Sequence, residues 1–477
     1  MELNPDYIKD NLSEIGKKDA LNLLKELINS SNDACARKKA LETFGLIDEG
    51  NNFSFIEQLF LSDENSDMKL IAGMILKEKY ITHKKLVRLL EYTLKKGDNI
   101  DQKIFSLNVL NTMDNVKAYK ILIEYLKEYV KTKYKEKFKN LQLDLVQNRP
   151  IPEKSIMLFI NVLLGDYYES ECGYLVTLKN GKIVALSCEG SNLGELSDIY
   201  GFRYLTDLGH LSIQKNSLRI ISNLQHLTQL KTLILSDNKL EKIENLSHLN
   251  KLEELNLSGN KIEKIENLES LVNLKKLTLS DNSIRTIENL NVLPSLEILD
   301  LSHNKISEMK NLSKLERLTR LSLSSNKIET IEGLSSLTNL MWLYLNDNHI
   351  IEINGLSTLH KLKGLYLSNN FINRISSLEN LISLKKLELS NNKIRRLEGL
   401  ENLADLQELY LDNNLIKTID RLEGLNNLII LHIGRNEIED FRKESIEHLR
   451  NLNFIYLNEN PLNQKSMLEY QKRIRFP

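Results

Sequence analysis

The chain has 477 residues, of which 41% are hydrophobic and 27% charged, with a formal net charge of -1. That length exceeds one ordinary domain, and the composition belongs to a folded chain rather than a disordered one. The near-zero charge argues against a dedicated nucleic-acid binder, and 6 Pro with 19 Gly leave little material for flexible linkers.

The first residues, MELNPDYIKDNLSEIGKKDA, hold no apolar core and no cleavage pattern, so a cytoplasmic, already mature N-terminus is expected. No apolar run is long enough to span a bilayer. Cys35, Cys172 and Cys188 form no C-x-x-C pair, which excludes the usual zinc and thioredoxin-type motifs; Cys172 and Cys188 flank a hairpin and are expected as reduced thiols.

Residues 1–165 read as amphipathic helices, among them ALNLLKELI, ARKKALETFGLI, KLIAGMILKEKY and IMLFINVLLGDYY. A longer period runs through them. Arg37, Lys69 and Lys103 each stand three residues before a small one, with Asp67 and Asp101 close ahead of two of them. This resembles HEAT-like repeats, helix pairs stacked into an α-solenoid. An irregular bundle is the competing reading. The basic run KTKYKEKFKN, 131–140, is expected to be a solvated helix face.

Residues 166–190 contain YLVTLKNGKIVAL, two alternating segments around Asn180-Gly181, the strongest short hairpin signal. A hairpin here would cap the open end of the repeats that begin at residue 191.

From residue 191 to 457 one unit repeats. Asparagine recurs every 22 residues at Asn216, Asn238, Asn260, Asn282, Asn304, Asn326, Asn348, Asn370, Asn392, Asn414 and Asn436, with outlying copies at Asn192 and Asn460. Around each runs L-x-x-L-x-L-x-x-N-x-I. The L-x-L segment alternates, as a strand does, and the later apolar residues come about every third position, as in tight 3₁₀-like turns. One unit cannot bury its own leucines, but stacked units can. The asparagine amide is expected to satisfy backbone groups of neighbouring turns that would otherwise be buried without partners.

This pattern resembles the leucine-rich repeat family, in its 22-residue subclass. That subclass includes a regulatory subunit of protein phosphatase 1 built from such repeats, and the bacterial internalins. The closing stretch from Tyr456, with its cap helix at 458–477, is similar to the family's C-terminal cap: Tyr456, Leu457, Asn460, Pro461, Leu462, Tyr470, Arg473 and Pro477 match it. Pro477 falls before the family's usual trailing apolar segment, so an incomplete or differently closed cap is expected. The fold expected is an α-helical repeat domain followed by a leucine-rich-repeat arc, with a parallel concave β-sheet and short 3₁₀ or extended convex returns.

No P-loop, zinc-protease helix, nucleophile elbow or kinase signature occurs. The expectation is therefore a protein that is not an enzyme and holds no cofactor or metal. The column before the ladder asparagines (Asp237, Asp281, Asp347, Asn369, Asn391, Asn413) is explained by turn chemistry rather than by a cation.

What varies is the outward face of the strands. In its earlier copies the slots hold small or mixed-charge residues. From Trp342 onward they are aromatic and charged: Trp342, Tyr344, Tyr366, Lys386, Glu388, Glu408, Tyr410, His432, Phe454 and Tyr456, with Arg320 just before. Aromatics and arginine dominate binding hot spots, and this many on one face exceeds scattered surface apolars. Gly364 is expected to leave room beside Trp342, for the indole or for a partner side chain. The function expected is a monomeric protein-interaction scaffold whose concave face holds a partner protein, with no small-molecule substrate. The resemblance adds a regulatory subunit of an enzyme such as a phosphatase. A self-assembling structural solenoid is the alternative, and nucleic-acid binding ranks behind it.

Overall fold

A computed structural model describes residues 4–133 and 150–474. Most of the basic run at 131–140 lies outside them, as does Pro477. Two compact units are present. One comprises the chain up to Gly173 with residues 178–183 and 200–205; the other comprises 174–177, 184–199 and everything from Thr206 onward.

The first unit is a succession of helices: α1 (Pro5–Asp10), α2 (Leu12–Ile15), α3 (Lys17–Ser30), α4 (Ala34–Ile47), α5 (Phe53–Ser62), α6 (Ser66–Lys79), α7 (Leu86–Lys96), α8 (Ile100–Thr112), α9 (Val116–Lys133) and α10 (Glu153–Tyr167). Helices α3/α4, α5/α6 and α7/α8 pack as pairs, and α4, α6 and α8 pack on one another in turn. The starts of those three are set by side-chain caps. Asp33, Asn65 and Asn99 each accept from backbone N–H groups of the first turn.

The small residues picked out by the long period, Ala40, Ala72 and Ser106, are wholly buried. Close approach goes with them: a side chain at Gly73 would press on the rings of Phe60 and Phe105. Of the three basic residues, Arg37 has a clear role. It donates to the Ile28 carbonyl at 2.7 Å and pairs with the buried Asp63. These are helical repeats. Asp101 accepts from Gly201 N–H at 2.8 Å, and burial pushes its carboxyl up.

The second unit is built on one sheet of 14 strands in chain order. The hairpin β1 (Leu175–Lys179) and β2 (Lys182–Ser187) turns at Asn180 and Gly181, both at positive φ as that turn requires. Beside β2 follow β3 (His210–Ser212), β4 (Thr232–Ile234), β5 (Glu254–Asn256), β6 (Lys276–Thr278), β7 (Ile298–Asp300), β8 (Arg320–Ser322), β9 (Trp342–Tyr344), β10 (Gly364–Tyr366), β11 (Lys386–Glu388), β12 (Glu408–Tyr410), β13 (Ile430–His432) and β14 (Phe454–Tyr456). From β2 onward every pairing is parallel, and each residue faces its copy in the next repeat, as Leu343 faces Leu365.

Each return is two successive tight turns. Leu271 N–H bonds to the Leu268 carbonyl and Leu274 N–H to that of Leu271, the three-residue step of a 3₁₀ helix. One repeat thereby turns Leu255, Leu257, Ile262, Ile265, Leu268, Leu271 and Leu274 inward, and all seven are wholly buried. At roughly 1.5–3 kcal/mol per fully buried aliphatic side chain, this stacked interior is what holds the array together.

The far end is closed by α11 (Gln464–Ile474). The buried hydroxyl of Tyr470 accepts from Leu457 N–H at 3.0 Å and donates to the Ile455 carbonyl at 3.4 Å. It thereby satisfies groups on the outer edge of the last strand, which a further repeat would otherwise cover.

Candidate functional site

The ladder asparagines fix where every outward side chain stands. Asn348 is typical. Its amide N–H groups donate to the carbonyls of Leu323, Leu345 and Asn346 at 2.9–3.2 Å, and its oxygen accepts from Ile328 N–H at 3.0 Å. Asn238, Asn260, Asn282, Asn304, Asn326, Asn370, Asn392, Asn414 and Asn436 repeat that arrangement, and all are buried. Asn460 extends it to the last turn. Asn192 does not belong to it: it is exposed, in a left-handed turn at φ 56°, because β2 and β3 pair with Leu186 facing Leu211, a step one residue longer than the spacing from Asn192 to Asn216.

Two further columns support the strands. The residues just before the ladder asparagines stand at positive φ, and they link sideways: Asn369 donates to Asp347, Asn391 to Asn369 and Asn413 to Asn391 at 2.6–2.8 Å. The other column was not singled out in the sequence. Asn245, Asn267, Asn289 and Asn311, also at positive φ, each donate to a carbonyl of the preceding return at 2.6–2.8 Å. Later repeats carry Gly333, Gly355 and Gly399 there. The recurring N-L pair was visible in the sequence as part of the consensus, but its bond to the previous repeat was not.

The outward slots form two rows. One runs Arg320, Trp342, Gly364, Lys386, Glu408, Ile430, Phe454; the other Ser322, Tyr344, Tyr366, Glu388, Tyr410, His432, Tyr456. Every sequence-selected residue is on this face, but they group in ways the sequence did not show. Tyr344 and Tyr366 stack at 4.4 Å with planes 15° apart, and the Arg320 guanidinium lies 5.9 Å from the Tyr344 ring centre. Three strands further, Tyr410, His432 and Tyr456 stack in sequence at 4.8 and 4.0 Å. Between the two stacks sits Lys386. Its ammonium is 3.0 Å from Glu388, 3.3 Å from Glu408, 5.7 Å from the Tyr366 ring and 4.8 Å from the Tyr410 ring.

The electrostatics follow from these neighbours. Burial works against the Lys386 ammonium, but the two carboxylates outweigh it and hold the group above the usual lysine range. Burial, helped by Tyr344, pushes the Tyr366 hydroxyl up to about 12. The Tyr410 hydroxyl is raised by burial and by donating to Glu408 at 3.0 Å. His432 Nδ1 lies 3.4 Å from Asp412, a carboxylate that also accepts from Gly434 N–H at 2.8 Å. Asp412 stands two residues past Tyr410, one slot beyond those read in the sequence.

One expectation about this face needs correction, and one open alternative is decided. The aromatics are not uniformly exposed. Phe454 at 47% and Tyr456 at 39% are exposed, whereas Tyr344, Tyr366, Tyr410 and His432, which stack, and Trp342, which lies over Gly364, are half-buried. Gly364 leaves room for the indole, the first of its two expected occupants, and not for a partner side chain. It is buried under the Trp342 ring, whose Cε3 and Cζ3 atoms occupy the space a Cβ would take.

No group of three or more His, Cys, Asp or Glu among the described residues is placed to hold a metal. None of the described helices is long and apolar enough to cross a membrane.

Comparison with known proteins places the repeat. The two-copy leucine-rich repeat model matches residues 228–270, 250–292, 272–315 and 382–426, and a second leucine-rich repeat model matches 298–389. Among solved structures, an internalin (inlF) from Listeria monocytogenes is 26% identical with a TM-score of 0.56, over 65% of this chain and 91% of that one. A leucine-rich repeat protein of Leptospira interrogans is 27% identical with a TM-score of 0.55, over 60% of this chain and 80% of that one. An internalin C2 (inlC2) from Listeria monocytogenes is 32% identical over 40% of this chain and 84% of that one, with a TM-score of 0.38. A search of curated proteins finds no match.

Proposed function

This chain belongs to the leucine-rich repeat family, and from that premise we propose that it is a non-enzymatic interaction scaffold whose sheet face, from Arg320 to Tyr456, docks a partner protein. One observation carries the reading. Across β8–β14 the slots that owe nothing to the interior hold two aromatic stacks joined by a lysine paired with two carboxylates, while the slots of β3–β7 hold no aromatic stack and one simple lysine–glutamate pair. Stacked rings lose little conformational freedom when a partner covers them, which is why such side chains make efficient contacts. The resemblance to the phosphatase regulator adds an enzyme, such as a phosphatase, as the partner class to try first.

The test compares full-length protein with the Trp342→Ala, Tyr366→Ala double variant in affinity capture from a cell extract. The variant keeps the interior leucines and the ladder, so it should fold and lose the captured partner. Equal capture by the two proteins would overturn the reading.

A further inference from the structure

We propose that the second half of this face is built for a cationic segment of its partner, an extended stretch bearing arginine or lysine side chains. The proposal rests on the docking reading above and names the chemistry of the occupant.

Charge comes first. Three carboxylates, Glu388, Glu408 and Asp412, face outward on β11, on β12 and just past β12, and the one ammonium set among them is Lys386. Lys386 is shared between Glu388 and Glu408, so one negative charge is left over. Asp412 supplies another carboxylate, which meets the His432 imidazole but pairs with no lysine or arginine among the described residues. Arg435, the nearest other cation on the turn edge, gives two N–H groups to Glu459 at 3.0 Å and so cancels that charge instead. Arg320 is four strands from β12, about 19 Å at the usual strand spacing, which lies beyond the screening length of physiological salt.

Ring geometry comes second. Arginine stacks flat on aromatic faces while its N–H groups reach a carboxylate. Tyr410, His432 and Tyr456 form a near-parallel stack beside Asp412, and Tyr456 stands on β14, the edge strand of the sheet among the described residues. Phe454 and Tyr456 are the two exposed aromatics of the face. The face also contains its own precedent. Lys386 is held by two tyrosine rings and two carboxylates, the same pair of contacts that a partner's cation would find at Tyr456 and Asp412. Nucleic acid is disfavoured by the same charges, since phosphates would meet uncompensated carboxylates.

The test presents three fluorescent peptides of one Gly/Ser-spaced design, carrying Arg, Gln or Glu at alternate positions, to the full chain and to Asp412→Lys and Trp342→Ala, Tyr366→Ala variants. The Arg peptide should bind the wild type, weaken with added salt and weaken by about tenfold or more on Asp412→Lys, while the Glu peptide does not bind. Equal binding of the Arg and Glu peptides, or Arg-peptide binding indifferent to Asp412→Lys, would overturn the proposal. The captured partner separates this from the docking reading. Loss of that partner by the aromatic double variant but not by Asp412→Lys leaves the docking reading standing and removes the cationic one; retention by both variants removes both.

Discussion

In β3–β7 the outward slots hold His210, Ser212, Thr232, Ile234, Glu254, Asn256, Lys276, Thr278, Ile298 and Asp300; in β8–β14 they hold an arginine, one tryptophan, four tyrosines, a phenylalanine and the Lys386 cluster. Behind both halves the same leucines are wholly buried and the same asparagine makes the same bonds. Repeats that share an interior and a ladder therefore differ only where the fold leaves them at liberty to differ. The first half shows what the fold needs on that face: one Lys276–Glu254 pair at 2.6 Å and otherwise small or scattered side chains. The second half carries more than that, and the excess needs a cause other than folding.

The largest expected effect tests the shared part. Asn260→Ala and Asn370→Ala should each lose about 3 kcal/mol in denaturant unfolding, because each strands several buried backbone groups. The two losses should match, since the bonds match. A clearly smaller loss at Asn370 would mean that the second half is held by its face as well as by its ladder.

Gly364→Ala should come next, at about 1–2 kcal/mol, through overpacking against the Trp342 ring. Neighbouring slots of the first half, such as Thr232 and Lys276, already carry side chains, so no counterpart exists there. Trp342 is the single tryptophan of the chain, so its emission reports the displacement directly. An unchanged spectrum would mean that the ring does not rest on Gly364.

How much of this could be read beforehand depends on which atoms a residue meets. The ladder asparagines were legible because each repeats the same neighbours at the same spacing, so a period in the sequence is a column in space. The strands were legible for the same reason. Gly364 was legible as room beside Trp342, but its occupant stayed open between the indole and a partner side chain, because nothing local to Gly364 says which way that ring turns. Lys386 was read as a partner contact, yet its two carboxylates and two rings come from three adjacent strands. Asp412 was passed over because in most repeats its slot holds serine, which at Ser258 and Ser302 only bonds locally, to Asn256 and Asp300. Tyr470 matched a cap pattern, but its service to the β14 edge depends on where α11 crosses.

Lys386→Met sharpens the comparison at a smaller scale. Removing the ammonium leaves Glu388 and Glu408 facing each other beside two tyrosines, and a loss of up to about 1 kcal/mol is expected, reduced by added salt. Lys276→Met in the first half, with one carboxylate for a partner, should lose less. Equal losses would show that the two-carboxylate, two-ring arrangement adds nothing to a simple surface pair.

The smallest effect separates the halves by pH. The slots of β3–β8 hold no tyrosine, whereas Tyr366 on β10 has its hydroxyl pushed up to about 12 by burial and by Tyr344. The folded state thus holds that proton more tightly than the unfolded chain, whose tyrosines ionise near 10. Stability from this group is complete below about pH 10 and declines as pH rises toward 12, because the unfolded state gives up the proton first. Lys386 and Tyr410, also raised, act in the same direction. Tyr366→Phe keeps the ring and its stack but removes the titrating hydroxyl, so the variant should match the wild type near neutral pH and lose less stability between about pH 10 and 12. Phenolate absorbance should show one late-ionising tyrosine fewer. If the variant's alkaline decline equals that of the wild type, Tyr366 is solvated like an ordinary surface tyrosine, and the stacked half of the face is looser than its geometry implies.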